Sequence, residues 1–198
     1  LLLGAAFGSS GERCMALSVA IAVGGEIVDT VSYEGDSGPA HWGVLSPEFV
    51  LAKKGKKQSP IDLSNARPAE GLPQFDYRPT ALRLVNNGHT IKQTCEKGGV
   101  LTVGGKRYEL KQFHFHSPSE HTVNGEYFPM EVHFVHQNEK GELLVVGLMF
   151  EEGERNALMD QLPSFRAARG EDPLFEGVDY NELVTGRQEY FYYNGSLT

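Results

Sequence analysis

Gln112-Phe113-His114-Phe115-His116 carries two imidazoles at a spacing suited to chelating a metal. Aromatic content and strict alternation predict a β-strand there. Side chains two apart in a strand share a face, so Gln112, His114 and His116 point one way and Phe113 and Phe115 the other. Glu131-Val132-His133-Phe134-Val135 repeats the alternation, with Glu131, His133 and Val135 on one face. If the two strands are neighbours, three histidines converge. Three neutral imidazoles leave one coordination position open, the arrangement of a catalytic rather than a structural zinc.

A His-x-His pair alone is a weak signal, because strand histidines are more often satisfied core residues. The matching second strand adds weight. So do Gln112, two residues before His114, and Glu131, two before His133. Each offers an oxygen to the non-ligating N–H of an imidazole, the support that metal-bound histidines need.

The elements that must position these groups are mostly strands. Ala81 to Val85 alternates and ends at the turn signal Asn86-Asn87-Gly88. Val100 to Val103, Gly104-Gly105 and Lys106 to Leu110 form a hairpin pattern leading directly into the histidine strand. The second histidine strand runs to about His136, followed by a turn over Asn138 to Gly141. Leu143 to Phe150 is a continuous apolar run and predicts a fully buried strand. Tyr190 to Tyr193 reads as an aromatic strand, and Ala66 to Pro79, with three prolines, as surface loop. Leu158, Leu162 and Phe165 predict a short helix from about Asn156, limited by Pro163. The pattern gives one mainly β domain, an α+β chain with few short helices.

The length of 198 residues fits one domain, and 40% hydrophobic residues suffice for a substantial core. A net charge of -8 argues against polyanion partners such as nucleic acid. Lys53-Lys54 with Lys56-Lys57 is the one basic cluster, and reads as a solvated loop. No run approaches the roughly 18 apolar residues of a membrane span. Residues 1–30 differ from the rest: Arg13 precedes the apolar run Met15 to Val23, and Ala20-Ile21-Ala22 resembles a cleavage box. This predicts a signal peptide, a domain over residues 31–198, and a periplasmic or secreted location. Cys14 falls in that leader, which argues against a native pair with Cys95.

Taken together, Ser119-Glu120-His121-Thr122-Val123, Phe128 and Glu131 to Val135 fit the signature of a known family. Further landmarks are Gly38-Pro39-Ala40-His41-Trp42, Gln58-Ser59-Pro60-Ile61, Asn86-Asn87-Gly88-His89 and Gly195-Ser196-Leu197-Thr198. Over residues 33–198 the chain resembles the α-class carbonic anhydrases of bacterial type. That resemblance implies a large central, mostly antiparallel sheet, with Zn2+ held by His114, His116 and His133 at the base of a cleft. It implies reversible hydration of carbon dioxide to bicarbonate and a proton by zinc-bound hydroxide. Zinc lowers the pKa of its water to about 7, a value established for carbonic anhydrases themselves.

Other roles follow from the resemblance alone. Thr198 and Glu120 match the pair that orients the hydroxide, and Val135, Val145 and Leu197 match the apolar wall for carbon dioxide. His89 matches the proton shuttle, and an imidazole pKa near 6.5 suits that task. Tyr33 and Asn87 match residues that order the water path. His41, His121 and His136 match structural histidines. Lys92 departs from the amide many members carry, and a cation there lowers the His89 pKa. Many exported members join a cysteine before the Gln-Ser-Pro motif to one after Ser-Leu-Thr. Ala52 stands at the first position, and the second lies beyond Thr198. Family members also continue past Thr198, so the domain is expected to be incomplete at its C-terminus. The resemblance leaves a homodimer open. The rival readings are a non-catalytic binding module of the same fold, an inactive fragment, and a zinc hydrolase. Three intact histidines weigh against the first, and the absence of His-Glu-x-x-His weighs against the last.

Overall fold

A computed structural model describes residues 36, 41–57, 59–64, 73–86, 91–95, 98–153, 170–184 and 190–195. Near the start are two short helices, α1 (Trp42–Leu45) and α2 (Val50–Lys54), joined through a single tight turn over Pro47–Phe49. The strands follow as β1 (Gln74–Tyr77), β2 (Thr80–Asn86), β3 (Ile91–Cys95), β4 (Gly99–Val103) and β5 (Lys106–His116). After them come β6 (Thr122–Val123), β7 (Glu126–Tyr127), β8 (Met130–Gln137), β9 (Leu143–Phe150), β10 (Gly170–Val178) and the helix α3 (Asn181–Val184). Among the described residues, no helix is long and apolar enough to cross a membrane.

β5 is the axle of an eight-stranded sheet. β8 runs along one edge of β5, while β4 and β3 share the other edge, β4 at its start and β3 at its end. From there β4 leads to β1, β3 to β2 and β10, and β8 to β9. All these pairings are antiparallel, as expected for a mainly β chain. Gly104 and Gly105, at φ 56 and 77, form the two-residue turn between β4 and β5, a conformation that favours glycine.

A bulge in β5 decides which side chains face the site. The ladder with β8 slips between Leu110 and Gln112, leaving Lys111 as the extra residue. Before the slip Tyr108 and Leu110 are buried, and after it the core residues are Phe113 and Phe115. One inserted residue swaps the parity of a strand. The core therefore continues along the odd positions, and the even positions Gln112, His114 and His116 are released to the opposite face.

On the core face Phe113 packs against Phe134 at 5.5 Å and against Tyr180, just before α3, at 5.6 Å. His136 lies on this face too, fully buried. Its Nδ1–H donates to the Leu144 carbonyl at 3.1 Å, and its Nε2 accepts from the Tyr77 hydroxyl at 2.6 Å. This one neutral ring ties β1, β8 and β9 together. Burial lowers its pKa to about 4.

Several expectations need correction. β9 forms as predicted but is only half-buried, with Leu143 41% exposed, because among the described residues it pairs with β8 alone. Tyr190 to Tyr193 is not a strand; Phe191 makes an isolated bridge. β1 falls inside the segment read as loop, where the alternation of Phe75 and Tyr77 outweighs the flanking prolines. β10 had no sequence signal, since Glu171, Asp172, Pro173 and Gly177 are all poor strand formers, and its ladder with β2 is irregular in two places. The helix expected from Asn156 lies outside the described residues.

Candidate metal centre

β5 and β8 bring the three histidines together. His114 and His133 are direct cross-strand partners, and His116 is one pleat further along β5. Ring centroids are 4.9 Å apart for His114 and His116, 5.5 Å for His114 and His133, and 4.6 Å for His116 and His133. Each offers a ring nitrogen, all three within 4.8 Å of one another, and all three rings are buried.

Hydrogen bonds set the tautomers. The His114 Nδ1–H donates to Gln112 Oε1 at 2.8 Å, which leaves Nε2 with the lone pair. The His133 Nε2–H donates to Glu131 Oε1 at 2.8 Å, which leaves Nδ1 with the lone pair. Gln112 and Glu131 thus occupy the supporting positions expected from their spacing. A neutral imidazole with a fixed lone pair is what a zinc ligand requires, so the donor set fits the metal.

Glu131 is 1% exposed and makes four hydrogen bonds. Oε2 accepts from the backbone N–H groups of Glu120 at 2.9 Å and His121 at 3.0 Å. Oε1 accepts from His121 Nδ1 at 2.6 Å as well as from His133. Burial alone raises a carboxylate pKa, but the bonds from His121 and His133 outweigh it and hold Glu131 well below its usual range. His121, Glu131 and His133 also sit close enough to suggest a second metal group. Their facing atoms are already spent on one another, so they act as a brace rather than a cation site.

The brace extends beyond what the sequence suggested. His121 Nε2 accepts from the Tyr193 hydroxyl at 2.7 Å, and Tyr193 meets Ser59 Oγ at 2.5 Å. No local pattern links residues 59, 121 and 193. Gly147 was also missed. It lies across from His133 on β9, and a Cβ there would stand 2.6 Å from Glu131 Oε1. A glycine interrupting an apolar strand is a signal of close approach, and the run Val145-Val146-Gly147-Leu148 carried it.

The Glu120 carboxylate reaches into the cluster, with Oε2 3.5 Å from His116 Nε2 and 3.8 Å from His133 Nδ1. Val135 lies between Gln112 on β5 and Val145 on β9 in the ladders, so both half-buried valines stand on the sheet face that carries His133. Lys92 is paired in the ladder with His114. Tyr33, Asn87, His89, Leu197 and Thr198 lie outside the described residues.

Three buried imidazoles braced by an amide and a carboxylate on an antiparallel sheet fit the donor set of a zinc enzyme with a mainly β fold. The profile described as eukaryotic-type carbonic anhydrase matches residues 37–198. A carbonic anhydrase of Pectobacterium carotovorum is 38% identical over 195 residues, covering 95% of this chain and 79% of that one. A solved hyperthermostable carbonic anhydrase from a hydrothermal vent chimney is 40% identical with a TM-score of 0.74, covering 85% of this chain and 77% of its own. The α-carbonic anhydrase of Thermovibrio ammonificans, solved with sulfanilamide, is 41% identical with a TM-score of 0.66, covering 79% and 72%. The chain belongs to the α-carbonic anhydrase family. Its activity is the reversible hydration of carbon dioxide to bicarbonate and a proton, and its cofactor is zinc.

Proposed function

We propose that His114 and His116 through Nε2, and His133 through Nδ1, hold the catalytic zinc of this chain. The tautomers set on His114 by Gln112 and on His133 by Glu131 carry this reading, and His116 joins them through the ring nitrogen that faces Glu120 Oε2. Bound zinc supplies Lewis acidity, which makes hydroxide available at neutral pH. Glu120 acts beside it as a fixed hydrogen-bond acceptor through Oε2, a role supported by its nearness to both His116 and His133. Thr198 is assigned the hydroxyl that links Glu120 to the nucleophile. Val135 and Val145, with Leu197, form a wall that excludes water and receives an apolar substrate. His89 takes the product proton at its ring and passes it to solvent, with Tyr33 and Asn87 ordering the path.

The test is His114→Ala. Two imidazoles remain, one fewer than a catalytic zinc site ordinarily uses. The variant should lose bound zinc in elemental analysis and carbon dioxide hydration together. Full zinc occupancy in His114→Ala would sink the assignment. The domain over residues 31–198 and export through the leader are part of the same proposal, supported by Arg13 and the apolar run after it. Fractionating cells that express the chain with and without residues 1–30 tests that part.

A further inference from the structure

Four lysines stand within five positions at the end of α2, in a chain whose 26 acidic residues outnumber its 18 basic ones. Lys53, Lys54, Lys56 and Lys57 are all exposed. Beside the lysines are exposed aliphatic side chains: Val44 is 62% exposed, Leu45 37% and Val50 36%. Val50 lies three and four residues before Lys53 and Lys54, so helical spacing puts them on one side of α2. α1 is held against that helix at Gly43, where a Cβ would stand 2.3 Å from the Lys53 Cβ. Val44 and Leu45 follow directly. The lysines and these exposed aliphatic side chains therefore stand on, or directly after, two short helices in contact.

We infer that the α1–α2 patch docks on an anionic lipid surface, with Val44, Leu45 and Val50 meeting the bilayer and Lys53, Lys54, Lys56 and Lys57 meeting the headgroups. The composition separates this partner from an acidic protein. Protein interfaces favour arginine and large aromatics and are depleted in lysine. Lysine is a point charge on a flexible stem, suited to a diffuse field of headgroups rather than to a shaped, bidentate partner. Basic clusters of four or more beside apolar residues are the pattern of surface attachment to negatively charged leaflets. Charge complementarity is local, since the chain as a whole is acidic. Attachment of this kind lays the domain on the membrane without spanning it.

The experiment is co-sedimentation of the full, zinc-loaded chain with vesicles of phosphatidylcholine, with and without phosphatidylglycerol. Binding is expected only with phosphatidylglycerol, and high salt should release it. Each lysine changed to glutamine should lower the partition coefficient about five-fold. The variant Lys53→Gln/Lys54→Gln/Lys56→Gln/Lys57→Gln should not pellet measurably through this patch. Val44→Ser and Val50→Ser should weaken binding and leave its salt dependence unchanged. Carbon dioxide hydration in free solution should be the same in all of them. Residues 1–30 are common to every protein compared, so the difference reads the lysines. Equal binding of the fourfold variant and the parent would overturn the inference, as would equal binding to both kinds of vesicle. So would a dimer in analytical ultracentrifugation that the fourfold variant abolishes, with no vesicle binding by the parent; the patch would then face a second copy.

Discussion

Gly147→Ala isolates the brace around the metal centre with one added methyl group. Gly147 has no positive φ, so alanine fits its backbone and the effect is confined to contact. The new Cβ would lie 2.6 Å from Glu131 Oε1 and 3.5 Å from His133 Cδ2. Ordinary carbon contacts begin near 3.5 Å, so the oxygen must retreat by most of an ångström. Normally the tip of a glutamate yields cheaply. Here it is pinned, because Oε1 holds His121 at 2.6 Å and His133 at 2.8 Å while Oε2 holds two backbone N–H groups. Such a retreat lengthens both bonds from Oε1 beyond good geometry. Crowding of this kind costs about 1–3 kcal/mol of stability. Loosening a histidine's supporting partner costs about 10–100-fold in metal affinity. Zinc competition against a chelator reads the second effect, and urea unfolding of the apo-protein reads the first. The cause is checked in a Glu131→Ala background, where the clash partner is gone. An equal zinc penalty there, or zinc affinity unchanged in Gly147→Ala, would refute the reasoning.

Three further outcomes are expected. His136 has a folded pKa of about 4 against 6.5 for the free ring, so the unfolded chain binds more protons between those values. Its contribution is complete above pH 6.5 and falls as pH drops toward 4, by about 3 kcal/mol; urea titrations across this window should show a slope that His136→Phe reduces, and an unchanged slope would contradict it. Tyr193→Phe removes the hydroxyl that His121 Nε2 accepts from, so stability should fall by about 1 kcal/mol. Its zinc affinity should fall less than in Glu131→Gln, and a larger loss would break the proposed order of the brace. His89→Ala should lower kcat while sparing kcat/KM, with small imidazole buffers restoring turnover; a parallel fall in both constants would remove His89 from the proton path.

The histidine cluster was legible because strand alternation and residue spacing are local properties. His114, His116, Gln112, His133 and Glu131 are each two residues from another member, and one ladder joins the two groups. The bulge at Lys111 was not legible. Tyr108 and Leu110 are as apolar as Phe113 and Phe115, and no glycine or proline marks the change of parity between them. Residues that act through long-range contact were missed for a different reason. Tyr193 reaches His121 across 72 positions, and neither residue's neighbours carry a trace of the other. β10 escaped because tertiary pairing with β2 overrides a composition that disfavours strand. The half-exposure of β9 shows the opposite limit, since an apolar run states what a strand prefers to bury and not what is there to cover it.

The imidazole donors all stand on two strands that are already neighbours, joined by residues 117–129. An ion bridging them closes a short stretch of chain, so it removes little closure entropy from the unfolded state. The ladder between β5 and β8 has fixed their separation beforehand. The sheet thus lays out the proposed metal site before an ion is bound. A purified sample with full β content and a cooperative melt can therefore be empty of zinc and inert. Circular dichroism will report on the scaffold, and a metal count is needed to report on the enzyme.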